Sequence, residues 1–325
     1  MLLFSQRNAF AHKARFDLPK GSGYLFLSPK KEGSMSTIHV HQIGVVGAGQ
    51  MGNGIAQVAS QFGFEVMMVD VQQASLEKGL QTIRSSCDRM IKKQSMTEDQ
   101  KVALLSRIHT SVNLQDLKNA DVIIEAATEN VELKLNIFKS LDQIAKPQAL
   151  LVSNTSSISI TKIASVTKRP MQVAGMHFMN PVPLMKLVEG IRGLQTSDAC
   201  FATIKALAEK MDKTFVESVK DMPGFIVNRI LMPMINEAVY TLHEGIASVE
   251  SIDQAMKLGT NQPMGPLTLA DFIGLDTCLA IMNVLHEGLG DSKYRPCPLL
   301  VKYVEAGWLG KKSGRGFYNY EKGAS

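Results

Sequence analysis

The chain has 325 residues, of which 45% are hydrophobic and 20% are charged. This balance is typical of packed globular domains and argues against a disordered chain, and no apolar run approaches the roughly 18 residues that a membrane span needs. The net charge of +5 lies mostly in residues 1–34, so the rest of the chain is close to neutral and is not expected to bind nucleic acid. At about 150 residues per domain, the length predicts two domains.

Residues 1–36 are predicted to be a disordered N-terminal extension. They contain no long apolar segment, so they do not resemble a secretory signal. Their basic residues loosely fit a mitochondrial transit peptide, whereas Met35 would be a natural start just before the first strand, with a non-native or upstream-start extension ahead of it. We therefore expect a cytoplasmic location, with the mitochondrial matrix as the alternative if residues 1–34 are a transit peptide.

The cysteines have neither CxxC spacing nor histidine partners at metal-ligand spacing. Reduced thiols and no metal site are therefore predicted, which suits a reducing compartment. The cysteines are Cys87, Cys200, Cys278 and Cys297.

The first structural unit, residues 42–70, is typical of a dinucleotide-binding turn. A short apolar strand precedes the pattern Gly47-x-Gly49-x-x-Gly52, a helix follows it, and a second strand ends in Asp70. The three glycines would allow, in order, a tight turn, close approach of the backbone to a pyrophosphate, and close packing of the helix on the strand. The helix N-terminus offers free N–H groups to phosphate. Asp70 would bind both ribose hydroxyls and repel a 2′-phosphate, which favours NAD over NADP.

Apolar strands and helices then alternate, which predicts an α/β, doubly wound (Rossmann-type) dinucleotide-binding domain over residues 37–221. The predicted strands are continuous apolar runs, as expected of parallel strands that are buried on both faces. Strands are predicted over residues 121–126, 149–154 and 172–177, and helices over 72–93, 98–107, 131–145 and 158–166. Ligands bind at the carboxyl ends of such strands, where Asn154 and His177 lie.

The segment from His177 to Glu189 begins and ends with the two candidate catalytic residues. Hydride transfer from an alcohol requires a base that removes the hydroxyl proton, and imidazole suits this task near neutral pH. The two prolines of the segment would let the chain turn and return, which could place the Glu189 carboxylate beside the imidazole and stabilise its protonated form. An alternative is that Glu189 pairs with Lys186 or Arg192 at the surface.

Residues 222–325 are predicted to form an all-α C-terminal domain. Its first helix is apolar around much of its circumference, which indicates burial between helices, and Pro233 is expected to kink or interrupt it. Asn228 shares a face of this helix with apolar residues, so its amide needs a partner, either a ligand or a backbone group. Helices are predicted over residues 224–245, 249–258, 267–287 and 297–307.

Seven sequence motifs occur in one order along the chain: GAGQMGNGIAQ, EAATEN, SNTSSISIT, HFMNPVPLMKLVE, PGFIVNR, MGPLTLAD and KKSGRGFY. Together they resemble the L-3-hydroxyacyl-CoA dehydrogenase family, most closely its stand-alone, short-chain members, over about residues 37–320. The resemblance implies an NAD-dependent, reversible oxidation of an (S)-3-hydroxyacyl-CoA to the 3-oxoacyl-CoA in fatty-acid or related acyl-CoA metabolism. It also implies a homodimer whose helical domain closes over the acyl-CoA substrate.

The resemblance further implies roles for single residues. His177 would be the general base and Glu189 its partner. The implied contacts with the substrate's reacting part are Ser156 and Asn228, and those near the CoA phosphates are Lys92 or Lys93. The implied cofactor contacts are Gly47, Gly49, Gln50, Met51, Gly52, Asp70, Glu129, Lys134, Asn154, Asn180 and Lys312.

Other interpretations of these residues stay open from the sequence alone. Ser156 could belong to a helix N-cap cluster, and Lys134 and Lys312 could be solvated surface charges. One competing function is a 3-hydroxyacid dehydrogenase of the phosphogluconate or hydroxyisobutyrate type with a lysine-based mechanism, against which the His177–Glu189 segment argues. The other is a non-catalytic NAD(H)-binding protein on the same fold, and the loss of His177 or Glu189 would have indicated it.

Overall fold

A computed structural model describes residues 39–320 of the protein, so the predicted extension over residues 1–36 falls outside the described residues. Eight strands form one sheet in the order β3-β2-β1-β4-β5-β6-β7-β8. Neighbouring strands are parallel except β6 and β7, which are antiparallel. The strands are β1 (Gln42–Val46), β2 (Glu65–Val69), β3 (Ile108–Ser111), β4 (Val122–Glu125), β5 (Leu150–Ser153), β6 (Val173–Phe178), β7 (Leu187–Ile191) and β8 (Thr214–Ser218).

Helices cover both faces of this sheet, which confirms the predicted doubly wound class. Buried residues of α1, α2 and α6 form the core on one face, and those of α4 and α5 form the core on the other. The helices up to β8 are α1 (Gln50–Gln61), α2 (Gln73–Lys92), α3 (Glu98–Ser106), α4 (Val131–Ile144), α5 (Ile160–Ala164) and α6 (Asp198–Lys210).

The predicted strands agree with the observed ones to within one residue at each end. Every residue of β4, β5 and β6 is buried, as the continuous apolar runs indicated. The strand order reverses between β1 and β4, and this switch point opens a crevice at the carboxyl ends of the two strands.

Three strands and one helix were not predicted. β3 and β8 lie at the two edges of the sheet and carry polar, partly exposed residues, so their apolar signal is weak. β7 returns antiparallel to β6 after a short turn over residues 179–186. α6 joins β7 to β8 and packs on the sheet.

A separate apolar core joins the helices that follow β8. The predicted interruption at Pro233 is wrong, because α7 runs on through this residue and the proline removes only one backbone donor from the helix. The predicted helix over residues 267–287 is two helices, bent by 98° at Gly274, whose φ of +102° ends the first one. The helices are α7 (Val227–His243), α8 (Val249–Gly259), α9 (Pro266–Ile273), α10 (Leu275–Leu289) and α11 (Pro298–Glu305).

Within residues 39–320, no single helix is both long and apolar enough to cross a membrane. The bent pair of α9 and α10 passes that test on length and composition alone, and its residues belong to the apolar core of the helical region.

Candidate active site

The glycine turn between β1 and α1 excludes side chains at two of its three positions. Gly47 has φ of +99°, and a Cβ there would lie 2.8 Å from the Ala126 carbonyl oxygen. A Cβ on Gly52 would lie 1.8 Å from the Gly47 carbonyl oxygen, so the helix packs against the turn itself. The space over Gly49 is open to 4 Å, and no side chain caps the helix that starts there. A phosphate can therefore approach the backbone N–H groups at this point.

A cavity of about 620 Å³ lies beside this turn at the switch point of the sheet. Asp70 lines it, and the Asp70 Oδ2 accepts a hydrogen bond from the Ala48 N–H at 2.9 Å, which holds the carboxylate next to the glycines. Apolar side chains that include Val112, Leu133 and Ile137 line the same cavity. Backbone donors, a carboxylate and apolar walls are the groups that the phosphates, ribose and flat base of a dinucleotide require.

His177 and Glu189 are directly opposite each other on the antiparallel strands β6 and β7. The His177 Nδ1 lies 2.7 Å from the Glu189 Oε2, and the glutamate is fully buried. A carboxylate only accepts, so the proton is on Nδ1 and the imidazole Nε2 is left as the basic atom. The surface alternative for Glu189 is wrong, because Lys186 pairs with Asp212 and Arg192 pairs with two other carboxylates.

The second oxygen of Glu189 binds the start of α7. The Glu189 Oε1 accepts hydrogen bonds from the backbone N–H groups of Ile226 at 3.0 Å and Val227 at 2.9 Å. The positive end of the helix dipole attracts the negative charge of a carboxylate at this point. The Phe225 ring, one residue earlier, meets the His177 imidazole edge-on with centroids 5.9 Å apart. These contacts could not be predicted from sequence spacing, since they join positions that lie about 37 to 48 residues apart.

Two further predicted site residues, Asn228 and Ser156, lie on different elements. Asn228, in the first turn of α7, is 8% exposed, and its side-chain amide has no hydrogen-bond partner among residues 39–320. The Ser156 N–H donates to the Glu129 Oε1 at 2.5 Å. Ser159, not Ser156, supplies the N-cap of α5, so the helix-cap interpretation of Ser156 is wrong.

A buried ion pair lies beneath the loop that carries Glu129. The Lys134 Nζ is 2.7 and 2.9 Å from the two oxygens of Glu125, and both side chains are about 1% exposed or less. The same ammonium is 3.4 Å from Glu129, whose oxygens also accept hydrogen bonds from the Thr155 hydroxyl. Lys134 is therefore not a solvated surface charge. Glu125 was not among the predicted site residues, although an acid at the end of an apolar strand was the available signal.

The two predicted asparagines connect neighbouring elements of the site. The Asn154 Oδ1 accepts from the Phe178 N–H at 2.9 Å, which ties the end of β5 to the end of β6. The Asn180 Oδ1 accepts from the Gln50 Nε2 at 3.0 Å. Gln50 and Met51 open α1 and line the dinucleotide cavity, so the turn after His177 touches the glycine turn.

Three predicted lysines make no hydrogen bond or ion pair with the other site residues in the described part of the chain. Lys92 and Lys93 are exposed at the C-terminal end of α2. The Lys312 Nζ pairs with the Asp276 Oδ1 at 2.6 Å in the helical region. Their predicted roles stay predictions.

The described residues contain no candidate metal site and no candidate reactive thiol. No cluster of three or more His, Cys, Asp or Glu side chains within residues 39–320 could hold a metal ion. The four cysteines are buried and free, and burial raises the pKa of the Cys200 and Cys278 thiols to about 12. Such thiols are poor nucleophiles near neutral pH.

Two family models cover nearly all of the described residues. Residues 42–222 match the NAD binding domain of 3-hydroxyacyl-CoA dehydrogenase, and residues 224–320 match the C-terminal domain of the same enzyme. The chain belongs to the 3-hydroxyacyl-CoA dehydrogenase family. The junction between the two matches falls between the last strand, β8, and the first helix of the helical region, α7.

Relatives of this dehydrogenase match over their full length or nearly so. A probable 3-hydroxybutyryl-CoA dehydrogenase of Bacillus subtilis is 59% identical over 288 residues, which is 89% of this chain and 100% of the relative. A 3-hydroxybutyryl-CoA dehydrogenase of Bradyrhizobium diazoefficiens is 58% identical over 281 residues, 86% of this chain and 96% of the relative. The crystal structure of an (S)-3-hydroxybutyryl-CoA dehydrogenase from Ralstonia eutropha superposes with a TM-score of 0.85 at 54% identity, covering 87% of this chain and 100% of that one.

These matches confirm the predicted family, the fold class, the NAD cofactor and the class of enzyme, an NAD-dependent 3-hydroxyacyl-CoA dehydrogenase. A lysine-based 3-hydroxyacid dehydrogenase is correspondingly disfavoured. The roles of single residues stay predictions.

Proposed function

We propose that this dehydrogenase oxidises a short (S)-3-hydroxyacyl-CoA, such as 3-hydroxybutyryl-CoA, reversibly to the 3-oxoacyl-CoA. The observation that carries the proposal is the His177–Glu189 pair, a buried imidazole–carboxylate dyad at the ligand-binding edge of a sheet that also holds a dinucleotide turn. The names of the relatives from Bacillus subtilis and Bradyrhizobium diazoefficiens support the short acyl chain.

In the oxidation, the basic Nε2 of His177 accepts the proton of the substrate hydroxyl while the C3–O bond becomes a carbonyl. NAD, when bound, supplies the acceptor for the hydride that leaves C3. The imidazole becomes an imidazolium, and Glu189 stabilises the new charge through its 2.7 Å contact with Nδ1. The two N–H groups of α7 fix the carboxylate during this change. In the reverse direction His177 returns the proton as an acid.

Two polar side chains are proposed to hold the substrate beside the dyad. The Asn228 residue is 8% exposed and its side-chain amide makes no hydrogen bond within residues 39–320, so its N–H group can donate to a substrate carbonyl oxygen. Ser156 stands in the loop after β5, where its hydroxyl would bond the reacting oxygen. Holding the reacting atoms in line supplies much of the rate of such a reaction.

The cofactor is proposed to lie from the glycine turn and Asp70 toward Asn154 and Asn180. Glu129 would contact it directly, and Lys134 would act through Glu129, since its ammonium is buried between two carboxylates. Lys312 would reach the cofactor only after leaving Asp276. Lys92 and Lys93 present free, exposed ammonium groups of the kind that CoA phosphates attract.

The proposed domains are residues 37–221 for NAD and 222–325 for substrate closure and dimer formation. A homodimer through the helical region is supported by exposed apolar side chains on its helices and loops. They include Ile230, Ile246, Leu258 and Phe272, each more than half exposed. The free, buried thiols favour a reducing compartment, and a cytoplasmic location stays a prediction.

The test of this function is the variant His177→Gln. It should lower turnover of acetoacetyl-CoA by about a thousandfold or more, because the general base is removed, while NADH binds within about threefold of the wild type. Loss of NADH binding would contradict the assigned role of His177. Turnover within about tenfold of the wild type would contradict it as well.

A further inference from the structure

The turn over residues 179–186 lies between the His177–Glu189 pair and the glycine turn at the start of α1. It joins β6 to β7, and Asn180 within it bonds Gln50 at the start of α1. Val182 is 2% exposed and packs on α1 so closely that a Cβ on Gly54 would come within 2.9 Å of it. The position of this turn therefore determines where Asn180 stands relative to the dinucleotide cavity.

A buried lysine holds this turn from the side of β8. The Lys213 Nζ donates to the carbonyl oxygens of Val182 at 2.6 Å and Met185 at 2.8 Å. Lys213 is only 7% exposed and makes no ion pair with a carboxylate among residues 39–320. Burial lowers the pKa of this ammonium, with a further contribution from the charge of Lys186. Lysines are almost never buried without a charged partner, and for Lys213 the two carbonyl oxygens take the place of that partner.

We propose that Lys213 is a positioning residue for cofactor binding, which acts by fixing the turn over residues 179–186 against α1 so that Asn180 meets Gln50 beside the glycine turn. This inference rests on the proposed course of the cofactor along α1 and past Asn180. No contact of Lys213 with the cofactor itself is required.

Because Lys213 is proposed to act only on the turn, NADH binding and the proton transfer step should respond differently to its loss. His177 and Glu189 are held by the pairing of β5, β6, β7 and β8 and by the N-terminus of α7, none of which involves the Lys213 ammonium. Asn180 lies in the turn and has no such support. Loss of Lys213 should therefore weaken NADH binding and leave the proton transfer step nearly intact.

The experiment compares NADH binding and turnover in Lys213→Met and the wild type, as full-length folded proteins. Methionine fills a similar volume but leaves two buried carbonyl oxygens without a donor. Titration of NADH fluorescence should show a Kd raised about tenfold, and kcat at saturating NADH should stay within about threefold. The matched control is Lys186→Met, which removes an exposed lysine of the same turn and its surface pair with Asp212, and it should change neither quantity.

A double-mutant cycle with Asn180→Ala tests whether Lys213 acts through Asn180. The two substitutions should be non-additive, so that Lys213→Met raises the NADH Kd by less than about twofold in the Asn180→Ala background. If Lys213→Met does not fold, Lys213→Gln serves in the same cycle.

A folded Lys213 variant with an unchanged Kd, or with a lower melting temperature as its only effect, would overturn the inference, as would full additivity. Wild-type protein that does not bind NADH would instead refute the proposed cofactor site together with the inference that rests on it.

Discussion

The Glu189→Gln substitution tests the dyad most sharply, because it changes a charge and almost nothing else. Glu189 is fully buried and accepts hydrogen bonds from the His177 Nδ1, the Ile226 N–H and the Val227 N–H. Glutamine has the same shape, so its Oε1 can keep the two backbone bonds. Its amide group, however, carries no charge and presents N–H donors where the imidazole also needs to donate.

The size of the effect follows from which contacts change during the reaction. The two backbone bonds are present before and after proton transfer, so they cancel. The contact with His177 strengthens when the imidazolium forms, and a hydrogen bond to a charged group contributes roughly 1.5–3 kcal/mol, or about one to two powers of ten in rate. An amide that donates to Nδ1 would also move the imidazole proton to Nε2, and the wrong tautomer costs up to about 10⁴ in related dyads. We therefore expect Glu189→Gln to lower kcat by a factor of between about 10² and 10⁴.

The assay is steady-state oxidation of NADH with acetoacetyl-CoA, with an independent titration of NADH binding. The Kd for NADH should stay within about threefold, because Glu189 contacts no proposed cofactor residue. The control is Glu217→Gln, which changes an exposed carboxylate on β8 that pairs with Arg192, and it should leave kcat unchanged. A kcat for Glu189→Gln within threefold of the wild type would refute the assigned role of the dyad.

Two other predictions concern cofactor choice and stability. Asp70→Asn should raise KM for NADH about tenfold and narrow the preference over NADPH, because the charge that repels a 2′-phosphate is lost; an unchanged ratio of kcat/KM values would contradict this. Burial raises the pKa of Asp271 above the ordinary value of 3.8, so the folded state binds its proton more tightly than the unfolded state. Its contribution to stability is full below that value and is lost as pH rises through the raised pKa. Urea unfolding of the wild type and Asp271→Asn is measured from about pH 4 to pH 7. The free energy of unfolding of the wild type should fall relative to that of the variant as pH rises, and a constant or opposite difference would refute the raised pKa of Asp271.

The sequence predicted the parts of the fold that depend on local pattern. Strands β4, β5 and β6 were found because strands buried on both faces read as uninterrupted apolar runs. The edge strands β3 and β8 were missed because their polar, partly exposed residues resemble loops. The break at Gly274 was missed because glycine inside an apolar, helix-like run lowers helix propensity without showing that the chain will turn by 98°.

In the candidate site, too, contacts within one short segment were easier to predict than contacts between distant segments. The sequence left the proximity of His177 and Glu189 open beside a surface pairing of Glu189, because a turn with two prolines could bring the two ends of one short segment together. The structure decides for the proximity and adds the antiparallel register that makes them direct partners. The contacts of Glu189 with α7, of Lys134 with Glu125 and of Lys213 with the turn over residues 179–186 were not predicted. Their backbone or charged partners come together only through the fold, and a lysine has the same appearance in sequence whether it is buried or solvated.

Oxidation of NADH by the wild-type protein with acetoacetyl-CoA, run beside NADPH, tests both the proposed substrate class and the choice of cofactor. We predict rapid oxidation of NADH and slow oxidation of NADPH, since the His177–Glu189 dyad can donate a proton to a 3-oxoacyl-CoA and Asp70 repels the 2′-phosphate. No turnover with acetoacetyl-CoA or with longer 3-oxoacyl-CoA substrates, in protein that binds NADH, would contradict it and favour a non-catalytic NAD(H)-binding protein.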